Sequence, residues 1–105
     1  MKPKIITICG SGRFLKEMHE VEERLTLEGK IVLMIGVNTK DVARTKELER
    51  YKPMLDELHK RKIDISDEIF VVNPGDYIGE STKSEINYAL ENGKGINFLV
   101  QHSFK

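Results

Sequence analysis

Glu85 ends the run Asn73-Pro74-Gly75-Asp76-Tyr77-Ile78-Gly79-Glu80-Ser81-Thr82-Lys83-Ser84-Glu85, which follows the apolar segment Ile69-Phe70-Val71-Val72. The spacing predicts a strand, a turn-rich loop and a short helix with Glu85 in its first turn. An open α/β sheet places its ligand there, beyond the carboxyl end of a strand and at a helix N-terminus. A carboxylate so placed can meet a sugar or phosphate and can act as a nucleophile. Ser81 and the free N–H groups of the helix, with Gly79 and Thr82 beside them, suit an anion or ribose hydroxyls. The Pro-Gly and Ile-Gly pairs make an exposed loop of the kind that carries binding groups. A structural reading stands beside this one. Thr82-Lys83-Ser84-Glu85 fits a capping box, with Thr82 as N-cap and Glu85 reaching back to its N–H.

A second motif, Gly10-Ser11-Gly12-Arg13, follows the run Ile5-Ile6-Thr7-Ile8-Cys9. Two glycines let a backbone approach a ligand and aim N–H groups at it. Arg13 adds a planar fork of donors suited to phosphate. Leu15 stands where a dinucleotide fingerprint needs its third glycine, and no Gly-Lys-Ser/Thr follows to make a Walker loop. A plain tight strand-to-helix turn also accounts for these glycines.

The elements that must position these groups alternate. Ile5–Cys9 predicts a buried strand, rich in β-branched residues. From Arg13 to Glu28, Phe14, Met18, Val21 and Leu25 recur at helical spacing, and Gly29 suits the position after the helix. Residues 31–35 predict a second strand. The charged segment 38–52 has few apolar positions (Val42, Ala43, Leu48 and Tyr51) and reads as a helix, a mobile flap or a solvated face. Pro53 opens a helix with Met54, Leu55 and Leu58 on its apolar side. Its early Asp56 and Glu57 and late Lys60, Arg61 and Lys62 complement the helix dipole. Residues 68–73 form the third strand, 83–91 the last helix and 96–100 the fourth strand. The order implies one α/β domain over 1–105. Its parallel sheet has four to five strands, with helices on both faces in three layers. So small a sheet leaves an edge or helix face for a second subunit, and a homodimer is expected.

The 105 residues hold 17 basic and 17 acidic side chains, so the formal charge is zero. Nucleic-acid binders usually carry a basic face, and no such partner is expected. The one cysteine, Cys9, excludes an intrachain disulfide and suits a reducing cytosol. No apolar run resembles a signal peptide or a membrane span, so a cytoplasmic protein without a membrane partner is expected. Cys9, His59 and His102 show no metal-ligand spacing, so neither a structural zinc nor a cofactor is expected.

Cys9-Gly10-Ser11-Gly12-Arg13-Phe14 together with Ser81-Thr82-Lys83-Ser84-Glu85-Ile86-Asn87-Tyr88-Ala89 resembles the nucleoside 2-deoxyribosyltransferase-like superfamily, closest to its small single-domain members. The resemblance runs from the first strand to the last helix and skips mainly residues 38–52. It implies a Rossmann-like or flavodoxin-like fold and a nucleoside or nucleotide ligand. It also implies that Glu85 attacks the anomeric carbon and expels the base, after which water or another base resolves the intermediate. Ser11 and Arg13 would contact phosphate or sugar, and Ser81 would help from the opposite loop. Where several transferases carry an Asp at the end of the third strand, this chain has Asn73, which can hydrogen-bond a base but cannot donate a proton as an acid. Asp76 and Asp64 are the candidate acids, with Asp67 read as preceding the strand and His59 as a surface histidine. Cys9 reads as a small packed residue, and Tyr77 and Tyr88 as packing or base-stacking groups. A non-catalytic Rossmann-like module that binds a nucleotide-derived ligand is the alternative.

Overall fold

The computed structural model describes residues 2–41 and 43–102, so Val42 of the charged segment lies outside the described residues. In chain order the elements are β1 (Ile5–Gly10), α1 (Leu15–Leu27), β2 (Ile31–Leu33), α2 (Thr45–Glu49), α3 (Lys52–Asp64), β3 (Glu68–Val72), α4 (Glu80–Glu91) and β4 (Gly95–Phe98). Short 3-10 turns at Gly12–Phe14 and Pro74–Asp76 follow β1 and β3. The four strands form one all-parallel sheet in the order β2-β1-β3-β4. This is the parallel α/β sheet that the alternation of strands and helices predicts.

β1 and β3 are central because their residues are apolar on both faces. Ile6, Ile8, Phe70 and Val72 pack with Met18, Val21 and Leu25 of α1. The alternate residues Cys9, Ile69 and Val71 pack with Ile63 of α3 and with Ile86 and Ala89 of α4. Full burial of such a side chain contributes roughly 1.5–3 kcal/mol. The edge strands β2 and β4 are only half buried, so β1 and β3 form the rigid frame. The chain leaves β1 and β3 on opposite sides of the sheet: β2 lies beyond β1, and β4 beyond β3. The crevice between their carboxyl ends is a topological switch point, where such sheets bind ligands.

Several boundaries differ from the sequence expectation, each for a local reason. β2 stops at Leu33 because the next carbonyl, Met34 O, accepts from Lys62 Nζ at 2.6 Å and leaves the ladder. α4 begins at Glu80, capped by Gly79 in an extended conformation, and its first turn carries the acid Glu80. Thr82 faces inward and is buried, so it cannot serve as the N-cap, and no capping box with Glu85 forms. Glu85 therefore lies in the second turn. Within the charged segment the described residues form only the short helix Thr45–Glu49 and, at Lys52, the first residue of α3. On α3, Met54 and Leu58 are exposed, while His59 and Ile63 carry the buried stripe. Gly29 follows α1 with φ +89°, as its predicted place after the helix requires. Among the described residues no helix is long and apolar enough to cross a membrane.

Candidate functional site

A cavity of about 760 Å³ opens beyond the carboxyl ends of β1, β2 and β3, with α3 as one wall and the start of α4 as another. The turn after β1 forms its floor. Gly10 is required by close strand pairing, since a Cβ there would lie 2.9 Å from Val72 O. A Cβ on Gly12 would collide with Asn38 Oδ1, so this glycine admits the segment after β2 rather than a ligand. Ser11 Oγ accepts from Arg13 N at 3.4 Å and shapes the turn. The Arg13 guanidinium lies over the Tyr77 ring, 4.2 Å from its centroid, which joins the β1 loop to the β3 loop.

Glu85 reaches this cavity from α4, and Gly10, Ser11, Gly12, Arg13, Gly79, Ser81 and Thr82 line it as well. Its side chain is only 13% exposed. Its carboxylate meets two groups that sequence reading left aside. His59 Nε2 of α3 lies 3.7 Å from Glu85 Oε1, and Cys9 Sγ of β1 lies 3.5 Å from the same His59 nitrogen. His59 is buried, not a surface histidine as the sequence reading has it. The signal was its i, i+4, i+8 alignment with Leu55 and Ile63, which puts all three on one face of α3. Cys9 is fully buried, as expected of a packed residue.

Burial dominates the protonation of this cluster. It pushes the Glu85 carboxyl up to about 7, opposed by a hydrogen bond from Cys9 and reinforced by the nearby Asp56 charge. It pushes His59 down to about 4, with the Lys62 charge adding to the fall. The Cys9 thiol is raised well above its ordinary value, first by burial and then by the Glu85 charge. At neutral pH His59 is therefore uncharged, and its approach to Glu85 is not an ion pair.

The cavity wall is otherwise cationic. Arg13, Lys40, Lys52, Arg61 and Lys62 line it, against the acids Asp56, Glu80 and Glu85. Lys52 Nζ bridges Asp56 Oδ2 at 3.1 Å and Ser81 Oγ at 3.0 Å, linking α3 to α4 at the rim. The sequence reading takes Lys40 and Lys52 as parts of the charged segment 38–52, and Asp56 and Lys62 as complements of the α3 dipole. Their convergence depends on the crossing of α3 over the sheet, which no local pattern encodes.

Three of the sequence-selected residues lie away from this lining. Asn73 is fully buried, and its amide clamps Val100: Oδ1 accepts from Val100 N at 2.9 Å and Nδ2 donates to Val100 O at 2.9 Å. Nδ2 also donates to Asp76 Oδ1 at 3.0 Å. Asp76 pairs with His102 Nδ1 at 2.8 Å, and that hydrogen bond holds its carboxyl below the usual range. Asp64 sits at the far end of α3, bonded by the Tyr88 hydroxyl and paired with Arg61 at 3.1 Å. Comparison with family models, curated proteins and solved structures returned no match to this chain.

Proposed function

We propose that this protein cleaves or transfers the N-glycosidic bond of a nucleoside or nucleoside monophosphate, with Glu85 as the nucleophile. One observation carries the reading. A carboxylate on α4 faces a cavity at the switch point of a parallel sheet, across from the Gly10–Arg13 turn. The reaction is a double displacement. A Glu85 oxygen attacks the anomeric carbon as the C–N bond breaks, and the base leaves with the bond electrons and takes up a proton. Water or a second base then attacks the same carbon and frees the carboxylate. The cationic wall suits a 5′-phosphate.

The leaving base needs a proton, and Asp64, Asp76 and Asn73 do not line the cavity. Asp56 does, and it shares a small cleft with Glu85, Ser81 and Ser84. We assign the relay of that proton to Asp56, in contact with solvent at the rim. The absence of Asn73, Asp76 and Asp64 from the lining favours a second reading, a module that binds the nucleotide without turnover.

Incubation with a panel of nucleosides and monophosphates, followed by chromatography of free base, separates the two. Base release that Glu85→Gln abolishes supports the enzyme. Tight binding without release, indifferent to Glu85→Gln, overturns it in favour of the module.

A further inference from the structure

Three donors of different chemistry converge at the inner end of the cavity. Cys9 Sγ and His59 Nε2 are 3.5 Å apart, and His59 Nε2 and Glu85 Oε1 are 3.7 Å apart. All three donor atoms lie within 4.8 Å of one another. For a tetrahedral ion held at ~2.3 Å from sulfur and ~2.0 Å from nitrogen or oxygen, neighbouring ligand atoms stand roughly 3.3–3.6 Å apart. The Cys9–His59 edge already has this length, and the His59–Glu85 edge is longer by a few tenths of an ångström. The third needs at most about an ångström of movement by the Glu85 carboxylate, which borders open cavity.

The ligands are also held for the purpose. Cys9 is fixed in the central strand, and His59 and Glu85 come from the two helices packed on that face, so the donor triangle rests on regular elements rather than loops. Charge favours a divalent ion. A thiolate and a carboxylate beside a neutral imidazole sum to minus two, and a divalent cation makes the buried group neutral. The mixture of sulfur, nitrogen and oxygen selects a borderline cation over magnesium or calcium, which prefer all-oxygen sites. His59 and Glu85 line the cavity and Cys9 lies behind them, so a fourth coordination position opens toward the cavity.

We propose that Cys9, His59 and Glu85 bind one divalent cation of the zinc class, with its open coordination position facing the cavity. Linear spacing argued against a zinc site, but it does not register donors drawn from three separate elements. The proposal goes beyond the glycosidic reading and does not rest on it. If both hold, the ion and the anomeric carbon compete for the same Glu85 oxygen, and metal inhibits base release.

The test uses the full chain, stripped with a chelator and titrated with Co²⁺ alone. One ion per chain is expected, with visible bands of tetrahedral intensity and a sulfur-to-cobalt charge-transfer band in the near ultraviolet. Zn²⁺ should displace the cobalt and bleach both. Cys9→Ser should remove the charge-transfer band, and His59→Ala should weaken binding roughly tenfold or more. His102→Ala, remote from the cluster, should change neither. Because the chain has a single cysteine, a thiolate band in the unaltered protein identifies Cys9 even if a variant fails to fold. Absence of saturable cobalt binding, weak octahedral bands without a thiolate band, or a band that survives Cys9→Ser overturns the proposal. Base release in chelator reads the glycosidic activity separately.

Discussion

Glu85 stabilises the fold most when it is protonated, and this sets a measurable linkage. In the metal-stripped protein its carboxyl titrates at about 7 against an ordinary 4.5, chiefly because of burial. A raised folded value means that stability is fully present below the unfolded value and is lost as pH rises through the folded one. The loss approaches about 3 kcal/mol above pH 7. His59 acts in the opposite direction: its folded value of about 4 lies below the ordinary 6.5, so stability falls as pH drops through that window. A comparison of wild type with Glu85→Gln cancels most of the His59 effect. The variant should gain about 2 kcal/mol relative to wild type between pH 5 and pH 8, measured by urea denaturation of chelated samples. An unchanged difference would mean that Glu85 is not desolvated. The same ionisation governs the proposed chemistry, since only the carboxylate attacks carbon. In chelator, kcat/KM for base release should rise about tenfold per pH unit below pH 7 and level off above it. A flat profile from pH 5.5 to pH 8 would exclude Glu85 as the nucleophile.

At the scale of elements, Asn73 ties the end of β3 to the chain beyond β4. Its amide supplies both a donor and an acceptor to Val100, continuing the ladder after backbone pairing ends. Asn73→Asp keeps Oδ1 as acceptor of Val100 N but replaces Nδ2 by a carboxylate oxygen that faces Val100 O and Asp76 Oδ1, two acceptors, so a buried charge meets repulsion where a donor stood. That variant should lose about 2–3 kcal/mol in chemical denaturation without gaining base release, although an acid at this place is what the resemblance to the transferases would favour. A gain in release would return Asn73 to the site. The contrast marks what was legible in sequence. The β-branched runs of β1 and β3, the glycine after α1 and the strand–helix alternation reported the sheet, because each depends on near neighbours in the chain. The turn after β1 and Glu85 were legible as cavity residues, because the carboxyl edge of such a sheet is fixed by topology. His59 was not: a polar residue on a short apolar stripe looks like a break in the pattern until Cys9 and Glu85 stand beside it. The start of α4 was misread because Thr82 satisfied a local capping rule, while packing turned its side chain toward the core.

At the scale of the molecule, charge is zero in sum but not in distribution, and the cavity wall gathers Arg13, Lys40, Lys52 and Lys62. Net charge therefore supplies no long-range steering, and the proposed recognition of a monophosphate rests on short-range contacts at this wall. The short edge strands β2 and β4 leave room for the homodimer expected from so small a sheet, and sedimentation equilibrium that returns only monomer would remove it. The distribution of charge makes a sharper prediction. A nucleoside and its 5′-monophosphate differ only by the phosphate, so their difference in binding isolates the wall. Ligand at about 100 times its Kd stabilises a fold by ~2.7 kcal/mol, and each kcal/mol raises Tm by roughly 4–8 °C in a domain of this size. The monophosphate should therefore raise Tm by about 10 °C or more at concentrations where the nucleoside produces little change. Salt should narrow the gap, since the wall is partly open to solvent and the Debye length falls to about 3 Å at 1 M. Arg13→Ala should narrow it at low salt, because the Arg13 fork sits on the turn that faces Glu85, whereas Arg61, the other guanidinium of the wall, is paired with Glu57 and Asp64. Equal shifts from nucleoside and monophosphate, insensitive to both salt and Arg13→Ala, would mean that the cationic wall serves the packing of α3 and the segment after β2 rather than a phosphate.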